Sequence, residues 1–298
     1  GYIHYMDRYI EEPGSVYKIY KDTTTEMQII ETGGWSQPYK VYVKDGSNNP
    51  VSGIRINYEA DMPAISEKFV EFTDNLGVSS NRIKIGDKPL DYYLTARCMD
   101  CVSEQNSVRF SCCGKLKNDH FSQSGQSWSP ICYANNNCQI NPNATIGWRG
   151  CALTALATLI NYYSDNVYPT IPRTDPGSLN NYLRGLPIPQ GYNERNDVNF
   201  DSIEQYSDGA MRYINNESDN IRGNITQQVL LKRANSELLA GRPVIFRIFR
   251  GDNRYHFVVV IGKCGNNYII ADPAGGIERL YNPNETGYVL SGIRIFRP

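Results

Sequence analysis

The clearest helical pattern in this 298-residue chain is Gly150-Cys151-Ala-Leu-Thr-Ala-Leu-Ala-Thr-Leu-Ile160. Its apolar residues recur at the spacing of one helical face, so we predict a half-buried helix from Cys151 to about Tyr163. Cys151 stands in the first turn, where the positive end of the helix dipole favours a thiolate. Gly150 carries no side chain, which would leave room for a bound peptide backbone. A buried cysteine with a purely structural role is the competing interpretation.

His256 and Asp272, which lie later in the chain, can complete a Cys–His site with Cys151. His256 begins an apolar run that ends at Ile261, which predicts a buried strand. The other two histidines lie near the N-terminus and at the predicted domain boundary, so His256 is the best base for Cys151. Asp272 ends the next predicted strand, and a tight turn would bring it back beside His256, where a carboxylate can fix the imidazole tautomer. A core histidine and a turn aspartate before proline are the structural alternatives.

The rest of the C-terminal half indicates a mixture of helices and strands. We predict helices near 202–213 and at 224–240, the second capped by Thr226 or Asn224 and ended by Gly241. The predicted strands are 243–249, 255–261, 267–271 and 287–296. Helices followed by an antiparallel sheet are typical of an α+β domain.

The N-terminal half has the pattern of a β-sandwich. Short strand candidates recur about every 12 residues, and pairs such as Val41/Val43 and Ile54/Ile56 alternate with polar residues. The candidates are 27–31, 39–43, 53–58, 68–73, 81–85, 91–96 and 107–112. Residues 1–25 are rich in tyrosine and lack a clear period, so we interpret them as a leader or packing arm.

The eight cysteines predict disulfide bonds. They are Cys98, Cys101, Cys112, Cys113, Cys132, Cys138, Cys151 and Cys264. If the first six form three bridges, Cys151 and Cys264 remain unpaired. A zinc site built from the first four is the alternative, but Cys112 and Cys113 are adjacent, whereas zinc knuckles favour two Cys-x-x-Cys pairs. Disulfides imply an oxidising compartment, so we predict a secreted or cell-surface protein.

Composition limits the classes of partner. The net charge is −1 and no segment is strongly basic, which argues against nucleic-acid binding. No apolar run approaches the roughly 18 residues of a membrane span. The first residue is Gly1 and no signal peptide is visible, so we expect a mature or trimmed chain.

The first half resembles bacterial Ig-like domains of the invasin/intimin type over residues 26–115. The matching segments are Tyr42-Val43-Lys44-Asp45, Asn49-Pro50-Val51-Ser52-Gly53-Ile54, Phe72-Thr73-Asp74-Asn75-Leu76-Gly77 and Tyr93-Leu94-Thr95-Ala96. In that family such domains are spacers or adhesion modules, so the resemblance implies a partner at a cell surface.

The second half resembles the stand-alone relatives of the bacteriocin leader (double-glycine) peptidases, which have a papain-like fold, over residues 121–298. The matching segments are Gln123-x-x-x-x-Trp128, Gly150-Cys151-Ala-Leu-Thr-Ala, Leu239-Ala-Gly241-Arg-Pro243-Val244-Ile245, His256-Phe-Val-Val-Val-Ile-Gly262 and Asp272-Pro273-Ala-Gly275. The resemblance implies Cys151 as nucleophile, His256 as general base, Asp272 as orienting group and Gln123 as oxyanion donor, with Gln126 a weaker candidate for the last role. It implies no cofactor and no metal. The specificity for a Gly-Gly leader is not carried over.

The sequence therefore predicts a multidomain protein: an arm (1–25), an all-β Ig-like sandwich (26–116) and an α+β papain-like cysteine peptidase domain (117–298). Its expected substrate is a protein or peptide. Two alternatives stay open: a non-enzymatic adhesion protein with a degenerate peptidase scaffold, and another Cys–His acyl-transfer enzyme, such as a cell-wall amidase or a transglutaminase.

Overall fold

The computed structural model describes residues 16–25, 27–102, 105–251 and 254–298. These residues form two compact units. The first contains the described residues up to Gly86 together with Tyr92–Cys112, and the second contains Asp87–Asp91 and Cys113–Pro298. Residues 1–15 of the predicted arm lie outside the described residues.

The described part of the first unit consists of strands and one short 3₁₀ turn. The strands are β1 (Lys18–Lys21), β2 (Met27–Glu31), β3 (Tyr39–Lys44), β4 (Arg55–Ala60), β5 (Ile65–Ser66), β6 (Val70–Phe72), β7 (Val78–Asn81), β8 (Ile83–Lys84), β9 (Asp91–Cys98) and β10 (Ser107–Lys115). Asp91 and the last three residues of β10 belong to the second unit. Strand β1 falls in the segment that the sequence assigned to the arm, and it pairs with β3.

Two sheets enclose the core of the first unit. One has the order β1-β3-β7, and the other joins β2, β10, β9, β4 and β6. Val41 and Val43 on β3 are fully buried, as the alternating pattern predicts for strands with one face in the core. Tyr39 of the first sheet lies 4.7 Å from Phe110 of the second between ring centroids, so aromatic side chains fill the space between the sheets.

The described residues of the second unit form five helices and an antiparallel sheet. The helices are α1 (Ile146–Arg149), α2 (Cys151–Asn166), α3 (Pro176–Gly185), α4 (Ser202–Tyr206) and α5 (Gln227–Leu239). The strands are β11 (Arg212–Tyr213), β12 (Val244–Arg250), β13 (Arg254–Cys264), β14 (Asn267–Asp272), β15 (Ile277–Tyr281), β16 (Tyr288–Arg294) and β17 (Phe296–Arg297). The first unit is built from strands and the second from helices and a sheet, and this order agrees with the predicted fold class.

The long strand β13 is the centre of the second unit. Its sheet has the order β15-β14-β13-β12-β16, with every pair antiparallel, and the end of β10 pairs with β13 at Lys115 and Gly262. Helix α2 packs against β13, and residues 152–164 of the helix are all buried. The helix is therefore surrounded by protein and more deeply buried than the half-buried helix predicted from its pattern. No helix among the described residues is both long and apolar enough to cross a membrane.

One local prediction was wrong, and two elements were missed. The segment 202–213 is a short helix and a two-residue strand, because Gly209, with φ +80°, reverses the chain between them. Helix α3 was missed, although Asp175 caps it through the amide groups of Gly177 and Ser178, and Pro176 starts it. Strand β15 was also missed. Helix α5 is capped by Thr226, one of the two predicted caps.

The disulfide pattern differs from the predicted one. Cys98 pairs with Cys101 and Cys132 with Cys138, but Cys113 pairs with Cys264, which lies 151 residues later. Cys112 is a buried thiol instead. Neighbouring residues of a strand point to opposite faces, so the side chain of Cys112 points away from the face on which Cys113 forms its disulfide bond.

Candidate active site

Helix α2 places Cys151 at its first position, directly after a glycine that the local geometry requires. A Cβ atom on Gly150 would lie 2.5 Å from the carbonyl oxygen of Ile146 and 2.6 Å from the Cγ2 atom of the same residue. Any side chain would therefore distort the junction between α1 and α2, where Gly150 ends one helix and precedes the other. The contact with Ile146 already requires glycine here, and the expectation that Gly150 also leaves room for a bound backbone stays a prediction. Cys151 itself is partly exposed.

Strands β13 and β14 bring His256 and Asp272 together. The two strands pair antiparallel, with Val259 opposite Ala271, and this register carries Asp272 back to the start of β13. The Nε2 atom of His256 donates to Oδ1 of Asp272 at 2.5 Å, and both side chains are buried. Because Nε2 is bound to the carboxylate, Nδ1 is the ring nitrogen that remains for the hydrogen bond between His256 and Cys151.

Asp272 is held in place from several directions. Its Oδ1 also accepts from the backbone amide of Ala274 at 2.9 Å, and its Oδ2 accepts from Nε of Arg279 at 3.0 Å. Burial raises the pKa of Asp272, but the hydrogen bond and charge of His256, the Ala274 amide and the Arg279 charge together lower it. The carboxylate therefore stays ionised at neutral pH.

His256 is correspondingly easy to protonate. Burial alone lowers the pKa of His256, but hydrogen bonds to Asp272 and Cys151, with the negative charges of both groups, outweigh burial and raise the pKa to about 9. An imidazolium at this position is the partner that a thiolate needs.

Cys151 lines a cleft of about 760 Å³ in the second unit. Tyr255 and Phe257, the two neighbours of His256 in the chain, line the same cleft. Trp148, which is 61% exposed, forms another part of its wall. The cleft is therefore large enough for several residues of a peptide.

Gln123 lies between α1 and the turn that follows β14. Its Nε2 donates to the carbonyl of Gly147 at 2.9 Å, and its backbone amide donates to the carbonyl of Pro273 at 2.9 Å. Its Oε1 is buried with no hydrogen-bond partner. Gln126 is exposed in a turn. Trp128, the other residue of that sequence motif, donates from Nε1 to the carbonyl of Ser122 and so fixes the loop that carries Gln123.

Sequence reasoning missed Tyr133, a buried residue that lines the cleft beside Cys151. Burial raises its pKa well above 10, and the nearby Tyr192 and Cys151 raise it further. Tyr133 lies inside the small Cys132–Cys138 disulfide loop, and Asn180 of α3 holds this loop through the carbonyl of Cys132 and the amide of Ala134. The short spacing of two cysteines was the only signal, and it gave no hint of the cleft.

The four cysteines considered for zinc do not form one cluster. The described residues include a single group with the proximity of metal ligands, which is Asp91, Cys113 and Cys264. Both of its sulfur atoms are in a disulfide bond, and Asp91 accepts instead from the backbone amide of Gly265 at 2.9 Å. A bridged sulfur is not a thiolate ligand, so this group does not fit a zinc ion.

Residues 130–288 match the family described as Peptidase_C39-like. This match covers more than half of the chain, and it includes Cys151, His256 and Asp272 but not Gln123. No curated protein matches the sequence.

Several solved structures share a local similarity with the chain. The D0-D1 domains of intimin are 21% identical, with a TM-score of 0.24, and the match covers 33% of this chain and 45% of that one. Domains 4 and 5 of the S-layer protein SbsC are 17% identical, with a TM-score of 0.26 and coverage of 35% and 48%. The 282-residue C-terminal fragment of intimin, in complex with the intimin-binding domain of its translocated receptor, is 18% identical, with a TM-score of 0.27 and coverage of 37% and 38%. The chain thus spans less than half the length of each of these structures.

Proposed function

This chain belongs to the Peptidase_C39-like family, and we propose that it is a cysteine peptidase in which Cys151 is the nucleophile and His256 the general base. Asp272 orients the imidazole. The observation that carries the proposal is the buried hydrogen bond of 2.5 Å between His256 and Asp272, on an imidazole whose pKa is raised partly by Cys151, a residue in the wall of a large cleft.

The proposed reaction has two steps. The thiolate of Cys151 attacks the peptide carbonyl, the C–N bond breaks, and the imidazolium of His256 gives its proton to the leaving amine. His256, now neutral, takes a proton from water, whose oxygen attacks the thioester and releases the acid. Throughout, the Asp272 carboxylate keeps Nδ1 of His256 directed at the reacting atoms and stabilises the imidazolium.

We assign stabilisation of the oxyanion to the amide of Gln123 and the backbone N–H of Cys151. One N–H of the Gln123 amide holds the Gly147 carbonyl, which fixes the amide plane and leaves its second N–H for the substrate. Removing one such donor typically costs about 10²–10³ in kcat. Gln123→Ala should show this loss, and Gln126→Ala, which changes an exposed glutamine three residues away, should not. Unchanged turnover in Gln123→Ala would remove Gln123 from the mechanism.

For the two units we propose a bacterial Ig-like domain followed by a papain-like domain. Two sheets with an aromatic core between them support the first assignment, and a nucleophile at the start of a buried helix facing a base on an antiparallel sheet supports the second. The three disulfides support an oxidising location, so we propose a secreted or cell-surface protein whose first unit contacts a surface partner.

Alkylation of Cys151 by iodoacetamide tests the thiolate–imidazolium pair directly. We expect rapid alkylation of Cys151 at neutral pH, because an imidazolium partner activates the thiol, and we expect His256→Ala to abolish it. Cys112, a buried thiol in the same protein, is the internal control and should react only after unfolding. A Cys151 that behaves like Cys112 would favour the non-enzymatic adhesion protein.

Substrate class is tested by comparing unfolded protein with peptidoglycan fragments. We expect release of peptides from an unfolded protein, with no release by Cys151→Ala. Turnover of peptidoglycan fragments alone would favour the alternative, a cell-wall amidase that uses the same Cys–His chemistry. Failure to turn over either substrate, together with an unreactive Cys151, would contradict an enzymatic role.

A further inference from the structure

The cleft beside Cys151 is strongly positive, although the chain as a whole is not. Among the described residues that line it are five arginines, no lysine and one acidic residue, Asp197. The chain has a net charge of −1, so an excess of basic residues in the composition cannot explain this concentration. The arginines are Arg149, Arg195, Arg247, Arg254 and Arg294.

Three of these arginines have charges that the described protein does not neutralise. Arg149, Arg195 and Arg247 form no ion pair with a carboxylate among the described residues. Arg149 and Arg195 are exposed at the mouth of the cleft, and Arg247 is partly buried on β12. Arginines elsewhere in this unit commonly pair with acids, as Arg297 does with Glu217.

The deeper arginines are held in fixed positions. The guanidinium of Arg247 lies 3.3 Å from the centroid of the Tyr255 ring, and that of Arg294 lies 5.8 Å from the centroid of Phe200. Arg294 also donates to the side chain of Asn220 at 3.0 Å. The guanidinium of Arg247, stacked on Tyr255, keeps its planar edge free for two parallel hydrogen bonds to a carboxylate, so little entropy is lost on binding.

Arg247 and Arg294 also repel each other. Burial lowers the pKa of Arg294, and the neighbouring charge of Arg247 lowers it further. Two like charges close together in a partly buried site cost free energy, which a bound anion recovers. The remaining walls are aromatic, with Tyr133, Trp148 and Phe257 beside the arginines.

We propose that this cleft selects acidic peptide segments, so that cleavage occurs near glutamate or aspartate side chains of the substrate. The inference rests on the proposed peptidase function, because Cys151 lines the same cleft and a peptide bound to the arginines would be presented to its thiol. We assign the carboxylate to Arg247, which is stacked and forms no ion pair among the described residues, and to Arg195, an exposed arginine of the same cleft that also forms none.

Matched fluorogenic peptides that differ only by Glu or Gln at one position, scanned along the peptide, test this preference. At the best position we expect kcat/KM to be on the order of tenfold to a hundredfold higher for Glu, which is the range of charge-assisted hydrogen bonds. The Glu:Gln ratio should fall towards one in the double variant Arg195→Gln/Arg247→Gln. Arg184→Gln, which removes an exposed arginine of the same unit outside the cleft, should keep the wild-type ratio.

Binding to Cys151→Ala, measured by fluorescence anisotropy with the same labelled peptides, separates the two proposals. Equal cleavage of the Glu and Gln peptides by the wild type would overturn the acidic preference and leave the peptidase intact. Tighter binding of the Glu peptide by Cys151→Ala, without cleavage by the wild type, would keep the acidic cleft and overturn the peptidase. Neither cleavage nor charge-dependent binding would overturn both. Pyrophosphate and an unlabelled acidic peptide are compared as competitors of the labelled Glu peptide. If pyrophosphate displaces it at far lower concentrations, the arginines bind phosphate groups, and the proposal is overturned.

Discussion

Replacement of Asp272 by asparagine should move the alkaline limit of activity to lower pH. In the wild type the pKa of His256 is raised from 6.5 to about 9, which corresponds to about 3 kcal/mol in favour of the imidazolium. Cys151 supplies part of this stabilisation and Asp272 supplies the rest. Asparagine keeps a hydrogen-bond acceptor for Nε2 but removes the charge, so we expect the limit to fall by about one to two pH units.

The assay is the pH dependence of kcat/KM, which reports the ionisation of the free enzyme. Glu278→Gln is the matched control, because Glu278 is a neighbouring carboxylate that pairs with Lys115 rather than with His256. It should keep the alkaline limit near that of the wild type. An alkaline limit in Asp272→Asn equal to that of the wild type would refute the conclusion that Asp272 raises the pKa of His256.

The same ionisations predict how stability depends on pH. The pKa of His256 is higher in the folded protein than in the unfolded chain, so its contribution is complete below about pH 6.5 and is lost as the pH rises through about 9. The pKa of Asp272 is lowered, so its contribution is present above its ordinary value of 3.8 and is lost on acidification. Urea unfolding at pH 6 and pH 10 should show a smaller difference for Asp272→Asn than for the wild type.

Two further predictions concern stability alone. Cys113→Ala/Cys264→Ala opens a bridge between residues 151 positions apart and should cost up to about 5 kcal/mol, whereas Cys98→Ala/Cys101→Ala opens one of only three positions and should cost about 2 kcal/mol or less. Calorimetry should therefore show a larger fall in Tm for the first pair, and equal falls would contradict the loop-length argument. Glu237→Gln should cost about 3 kcal/mol, because this buried carboxylate accepts from two arginine side chains, and chemical denaturation that detects no loss would contradict that role.

Local sequence signals predicted the elements that carry the proposed chemistry. Helical spacing after Gly150 placed Cys151 at the start of a helix, and apolar runs placed His256 and Asp272 on neighbouring strands. The structure brings these three residues together, while their roles stay proposals. Helix α3 was missed although Leu179 and Leu183 recur at helical spacing on its buried face. The segment around it is rich in Asn, Pro and Asp, and the Asp175-Pro176 pair at its start is equally typical of a turn.

What the sequence by itself determined is local: the starts of helices, the alternation of strands, and the hairpin that returns Asp272 to His256. These features depend on residues only a few positions apart, because the local sequence sets the backbone preference and the burial pattern of each element. The tertiary structure alone decided the pairing of Cys113 with Cys264 and the gathering of Arg149, Arg195 and Arg247 around one cleft. The physical reason is that contacts between distant segments are set by how helices and strands pack, and no local pattern records that packing.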